Sequence, residues 1–204
     1  MLTRVHAGAV CVAMWAACTA ERPAAEARPP CDARMVQLDG FCIDRFEAFI
    51  DARGGAQSAR GQMPAEGLSY VDAEAACRAS GYRLCTGAEY DRACGEGPYP
   101  YGPEFMVDRC NAPGSGAQLT GRAVAAAGAY PGCESAEGVF DLSGNLGEWV
   151  NQVDGSGDLR QLRGGSYTSY PSYAKCRTEQ PTGFQPPDAA FSGQGFRCCA
   201  DARR

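Results

Sequence analysis

Ten of the twelve cysteines lie between Cys31 and Cys199, and no other feature restricts the fold as much. An even, dense set of thiols reads as a disulfide framework built in an oxidising compartment, each bridge worth about 2–4 kcal/mol. Zinc is the rival use of so many thiols, but the sequence contains no CxxC pair. At 204 residues the chain has room for one sizeable core.

The first residues agree with export. In MLTRVHAGAVCVAMWAAC, Arg4 gives a positive start, Val5 to Trp15 a short apolar stretch, and Ala16-Ala17 the small residues of a cleavage site. Cys18 then stands where a bacterial lipoprotein carries its lipidated cysteine, with Trp15 at a place usually held by leucine. The reading is a lipoprotein-type signal over residues 1–17, lipid on Cys18, a Pro/Ala-rich tether over 18–30 and one domain over 31–204. Secretion without lipid is the alternative. After the N-terminus no segment reaches the ~20 apolar residues of a membrane span, so a membrane is met through the lipid alone.

What the chain lacks narrows the chemistry. Its one histidine, His6, falls in the signal, which removes Ser-His-Asp and Cys-His catalysis and histidine-held zinc or iron from the mature protein. A net charge of −5 without a basic run excludes nucleic acid as the main partner.

Alternation predicts a hairpin, Met35 to Leu38 and Phe41 to Ile50 around Asp39-Gly40, followed by a loop over residues 51–67. A helix is expected from about Tyr70 to Ser80, capped by Ser69, stopped at Gly81, and burying Val71, Ala73, Ala76 and Cys77. Thr86-Gly87-Ala88-Glu89 is a capping box that opens a second helix, to about Cys94. Beyond Gly97, glycine and proline favour loops and short strands. The class is α+β, loop-rich.

Within GVFDLSGNLGEWV, Asp141 and Glu148 flank a Ser-Gly-Asn turn inside an apolar run. Two carboxylates and a glycine turn suit a hard cation held by oxygens; the alternative is a solvated polar turn.

The segments SYVDAEAACRASGYRLCTGAEYDRAC, YPYG, GVFDLSGNLGEW, LRGGSY and GFRCCAD occur in this order across roughly Met35 to Asp201. Together they resemble the formylglycine-generating enzyme / sulfatase-modifying-factor family. The resemblance implies a variant of the C-type lectin fold, with two main helices and short antiparallel strands stapled by disulfides. It implies a structural calcium ion held by side chains of Asp141 and Glu148 and carbonyls of Gly144 and Leu146. Gly147 departs from the family, which usually has an aromatic residue there. The stretch after Asn111 offers no carboxylate, so a second calcium site of some members is not carried over. The resemblance also implies the bridges Cys77–Cys198 and Cys94–Cys176. Cys198 and Cys199 are adjacent in a presumed strand and face opposite sides, so they need different partners; Cys85 is a candidate for Cys199. Proximity alone suggests Cys31–Cys42 and Cys110–Cys133, which spacing does not fix.

Catalytic members hold copper(I) with two cysteine thiolates shortly after the RGGS-like motif. Here Ser169 and Ala174 occupy those positions, and neither suits a soft ion. No copper is therefore expected, and the reading is a non-catalytic binding or scaffold module; the alternative is a formylglycine-generating copper oxidase acting on a protein cysteine. Tyr167, Tyr170 and Tyr173, interleaved with serines including Ser169, form a candidate surface for a protein, peptide or glycan. The alternative places every second tyrosine inward along a short strand.

Overall fold

The computed structural model describes residues 31–114, 122–178 and 183–202; the signal, Cys18 and the tether lie outside the described residues. Strands β1 (Met35–Leu38) and β2 (Phe41–Asp44) form the expected hairpin, closed by Asp39-Gly40. Gly40 sits at φ +85°, the one left-handed place in the turn, which glycine takes without strain.

The second arm does not continue to Ile50. It breaks at Arg45–Glu47 and resumes as β3 (Ala48–Ile50), paired with β4 (Ala56–Ser58) inside the stretch read as loop. Ser58 explains the break. Its hydroxyl accepts from the Phe46 amide at 3.1 Å and donates to the Phe46 carbonyl at 3.0 Å, replacing strand pairing there. Freed from the strand, Glu47 turns its carboxylate into the interior, where it is 1% exposed.

Helix α1 (Tyr70–Ala79) is capped by Ser69, whose hydroxyl accepts from the Asp72 amide. Its buried face is Tyr70, Ala73, Ala76 and Cys77; Val71, expected inside, is 53% exposed. Tyr70 takes the inward place beside Trp149, and at about 100° per residue it shares one arc with Ala73, Ala76 and Cys77 from which Val71 falls outside. After β5 (Arg83–Leu84), α2 (Gly87–Cys94) follows its capping box. Beyond it come β6 (Gly147–Val153), β7 (Arg160–Arg163), β8 (Phe184–Gln185), β9 (Gln194–Phe196) and β10 (Cys198–Asp201).

Three sheets result, ordered β1-β2-β10-β5, β3-β4 and β8-β7-β6-β9. The pairing is antiparallel except between β6 and β9, which run parallel. The expected short antiparallel strands are present, joined by this one parallel pair. The long excursion between β6 and β9 lets the chain return in the same direction, which no tight turn permits.

Trp149 and Val150 project from β6 into two different apolar clusters. Trp149 packs with Cys77, Leu84, Phe196 and Cys198, and its Nε1 donates to the Leu68 carbonyl at 2.7 Å. Val150 packs with Ile43, Cys85, Tyr90, Leu142 and Cys199. Cys198 and Cys199 divide in the same way, bonded to Cys77 and Cys85 respectively. The other bridges are Cys31–Cys42, Cys94–Cys176 and Cys110–Cys133. Five bridges suit an oxidising compartment. Among the described residues no helix is long and apolar enough to cross a membrane.

Asp44, at the end of β2, is fully buried, 2.9 Å from the Arg34 guanidinium, and accepts from the Cys198 amide at 2.9 Å. Burial nevertheless outweighs Arg34, that amide and the more distant Arg197, and pushes its carboxyl up to about 6 from 3.8. The fold therefore holds this proton to higher pH than the unfolded chain does. Stability from this group is full below about pH 4 and lost as pH rises to about 6. Urea titrations from pH 4 to 7 should show Asp44→Asn with a shallower fall than wild type, by up to one proton; identical slopes would remove Asp44 as the source.

Candidate functional site

Two adjoining features occupy the face built by β6, β7 and the segments around them. The first is the 141–148 loop. Asp141, Gly144 and Asn145 have φ of 60°, 76° and 54°, so three left-handed residues fall within five. Non-glycine residues rarely adopt that conformation, and here it persists because the loop is locked on all sides. The Gly144 amide donates to the Gly164 carbonyl at 2.9 Å, and a Cβ on Gly144 would stand 2.5 Å from the Asn111 carbonyl oxygen. Asn145 accepts from Asn111 Nδ2 and the Ala125 amide, both at 2.8 Å, and its own amide group donates to Glu47.

The carboxylates around this loop are not solvated. Asp141 and Glu148 are 3% and 0% exposed, which overturns the polar-turn alternative. Arg197, itself buried, donates through Nε and Nη2 to the two Glu148 oxygens, both at 2.6 Å. Its remaining bonds run to the carbonyls of Asp44 and Phe140, at 3.0 and 2.9 Å. Tyr90 donates to the Leu142 carbonyl at 3.0 Å, with Glu148 Oε1 3.3 Å away. Glu47 Oε1 accepts from the Leu146 amide at 3.0 Å, and Asp141 Oδ2 from the Gly128 amide at 2.6 Å.

Three buried carboxylates thus surround one buried guanidinium. Burial raises Asp141 to about 6, against the pull of the Gly128 amide and Arg197. It raises Glu148 too, opposed by Arg197, and lifts Glu47 well above the usual range with help from the charges of Asp141 and Glu148.

Sequence reasoning missed Glu47 and Arg197. The signal was there: each is a lone charge between apolar neighbours, in Phe46-Glu47-Ala48 and Phe196-Arg197-Cys198. Among the described residues no group of three or more His, Cys, Asp or Glu side chains is arranged to hold a metal. A cation here would draw on two carboxylates and backbone carbonyls. The donor set fits a hard ion in type and in its surplus of negative charge, and a carboxylate oxygen that accepts one hydrogen bond keeps a second lone pair.

The second feature is a cavity of about 370 Å³ bounded by β6, β7, the segment after β7 and the approach to β9. Gly147, Arg163, Ser169, Tyr173, Lys175 and Phe191 are among its lining residues. No strand covers residues 164–178, so alternate inward packing of tyrosines does not arise. Ser169 and Tyr173 line the cavity, but Tyr167 and Tyr170 do not. The Tyr167 hydroxyl instead donates to Glu66 at 3.0 Å, and Tyr170 is 39% exposed outside.

Gly165, at φ +65°, lies between the two positions that matter for soft-metal chemistry. A Cβ there would stand 2.9 Å from Ser169 Cβ and 3.0 Å from Ala174 Cα. The fold thus gathers positions 169 and 174, with a hydroxyl at one and a methyl group at the other. Cys176, the nearest thiol in sequence, is bonded to Cys94, and all ten cysteines among the described residues are bridged.

A sulfatase-modifying factor enzyme 1-like domain model matches residues 33–202. The chain belongs to that family. The sulfatase-modifying-factor domain is 32% identical over 157 residues to the inactive C-alpha-formylglycine-generating enzyme 2 of Bos taurus, covering 70% of this chain and 52% of that protein. It is 30% identical over 183 residues to the formylglycine-generating enzyme of Streptomyces coelicolor, covering 70% of this chain and 54% of that one. The chain spans about half the length of these relatives. Among solved structures it is similar to the Major Tropism Determinant U1 variant, with a TM-score of 0.61 and 15% identity, covering 83% of this chain and 52% of that one. The family and this likeness place the domain in the formylglycine-generating-enzyme variant of the C-type lectin fold. Inactive and enzymatic members both stand among its relatives.

Proposed function

We propose that this sulfatase-modifying-factor domain is an exported, non-catalytic binding or scaffold module, held at the membrane by lipid on Cys18 and stabilised by one structural calcium ion. The observation that carries the reading is the pairing of Ser169 with Ala174 around Gly165, with every described thiol already bridged. Copper(I) needs soft donors, and a hydroxyl and a methyl group supply none. The inactive relative supports the same direction.

Calcium would be held by Asp141 and Glu148 side chains with the Gly144 and Leu146 carbonyls. When bound it would supply charge neutralisation for the buried carboxylates rather than chemistry. Glu47 would serve from outside that set, fixing the loop through the Leu146 amide.

One preparation tests these parts together. The folded mature protein, with and without calcium, is assayed for reactive thiols and copper(I) binding, and its melting temperature is recorded. Expected are no reactive thiol in the domain, no stoichiometric tight copper(I), and a higher melting temperature in millimolar calcium, the range of extracellular calcium modules. Two reactive thiols with tight copper(I) would establish the oxidase instead. A melting temperature indifferent to calcium would remove the ion.

A further inference from the structure

The cavity beside Gly147 has a charge unlike that of the rest of the molecule. The chain carries a net charge of −5 and only one lysine, yet that lysine, Lys175, lines this cavity. Arg163 lines it as well, 5% exposed, with its Nη2 on Asp91 and its Nε without a hydrogen-bond partner. Among the described residues no carboxylate lines the cavity, and Lys175 forms no ion pair. That Nε is sealed from the cavity, so Arg163 lends the wall positive character, and the cation a ligand can reach is Lys175.

The remaining lining gives the ligand a shape. Tyr173 and Phe191, 66% and 60% exposed, stand at the cavity with flat apolar surface toward solvent. Ser166, Ser169 and Ser192 add hydroxyls that donate and accept. Its volume falls in the range of small-molecule sites, where a few polar groups fix orientation within a largely apolar wall. Cations, hydroxyls and exposed rings together match a molecule with a carboxylate, several hydroxyls and a C–H face that lies on an aromatic ring. A simple aromatic acid would use the cations and the rings but leave the hydroxyls idle.

Gly147 accounts for the space. Its φ is ordinary, and a Cβ built there meets nothing closer than the Gly193 carbonyl oxygen at 3.5 Å. The position accepts a side chain, and an aromatic one, as the family usually has, would fill the cavity.

The geometry points to this cavity as a binding site for a uronic-acid sugar, its carboxylate on Lys175 and its ring against Tyr173 or Phe191. The assignment rests on the binding-module reading and names the ligand class of that site.

The test is ligand-observed NMR on the mature protein with D-glucuronate and D-galacturonate, against uncharged D-glucose and the aromatic acid phenylacetate. At least one uronate should bind, with glucose and phenylacetate at least about tenfold weaker, the size of one charge-assisted contact. Lys175→Met should weaken the uronate by a similar factor, and Gly147→Leu should abolish binding, both with an unchanged melting temperature. If glucose binds equally, if phenylacetate binds better, or if no uronate binds, the assignment is overturned. It is overturned too if either variant, folded, binds as wild type does. None of these results alters the thiol and copper(I) counts on which the binding-module reading stands or falls.

Discussion

Arg197→Met costs the domain about 3–5 kcal/mol, a large part of the stability of any single domain. The cost comes less from the lost attraction than from what is left behind. Glu148 keeps its burial but loses both guanidinium donors, retaining only the Tyr90 hydroxyl at 3.3 Å, and Glu47 and Asp141 lose the one guanidinium buried among them. The carbonyls of Asp44 and Phe140 lose a donor as well. Arg197→Lys retains the charge on a single point donor and cannot form the two-pronged contact, so its loss should be substantial but smaller. Urea unfolding followed by the fluorescence of buried Trp149 measures both. A methionine variant as stable as wild type would mean that the three carboxylates are not charged in the fold.

The second large effect is cooperative. Cys77–Cys198 and Cys85–Cys199 close loops of nearly the same extent, with separations of 121 and 114 residues. With either one intact, the other closes only the short path from Cys77 to Cys85 and across the Cys198–Cys199 step. With Cys94–Cys176 also intact, the first of the two to form closes only about 35 residues; in the chain-entropy picture a loop of about nine residues is worth about 2.6 kcal/mol, and one of about 35 residues about 3.8. Replacing either pair by alanine should therefore cost about 2.6 kcal/mol, whereas replacing both should cost about 6.4. The excess over simple addition, about 1 kcal/mol, is what a double-mutant cycle on non-reducing samples reads. Additive losses would show that the two bridges do not share a loop in the unfolded chain.

How much of this was legible in the sequence differs by element. Both helices were readable because their caps are local: Ser69 and Thr86 act on amides three residues away. The β1–β2 hairpin was readable from Asp39-Gly40. β4 was not, because Ala56-Gln57-Ser58 has no strand propensity of its own and is held by β3 and the Ser58 hydroxyl. Val71 misled because a single apolar residue beside a cap does not set the helix phase. At the site, Asp141 and Glu148 stood out by their spacing, whereas Glu47 and Arg197 reach the same cluster from distant parts of the chain. The cavity was invisible for a related reason: its wall is gathered from Gly147, from β7, from the segment beyond it and from the approach to β9, which are far apart in sequence.

The order β1-β2-β10-β5 also bears on biogenesis. β10, ending at Asp201, lies between β2 and β5, so the sheet lacks one of its two inner strands until the ribosome has translated nearly every codon read here. Cys77 and Cys85 must likewise wait for Cys198 and Cys199. Strand insertion and the closing of both bridges are thereby tied to one late step of folding.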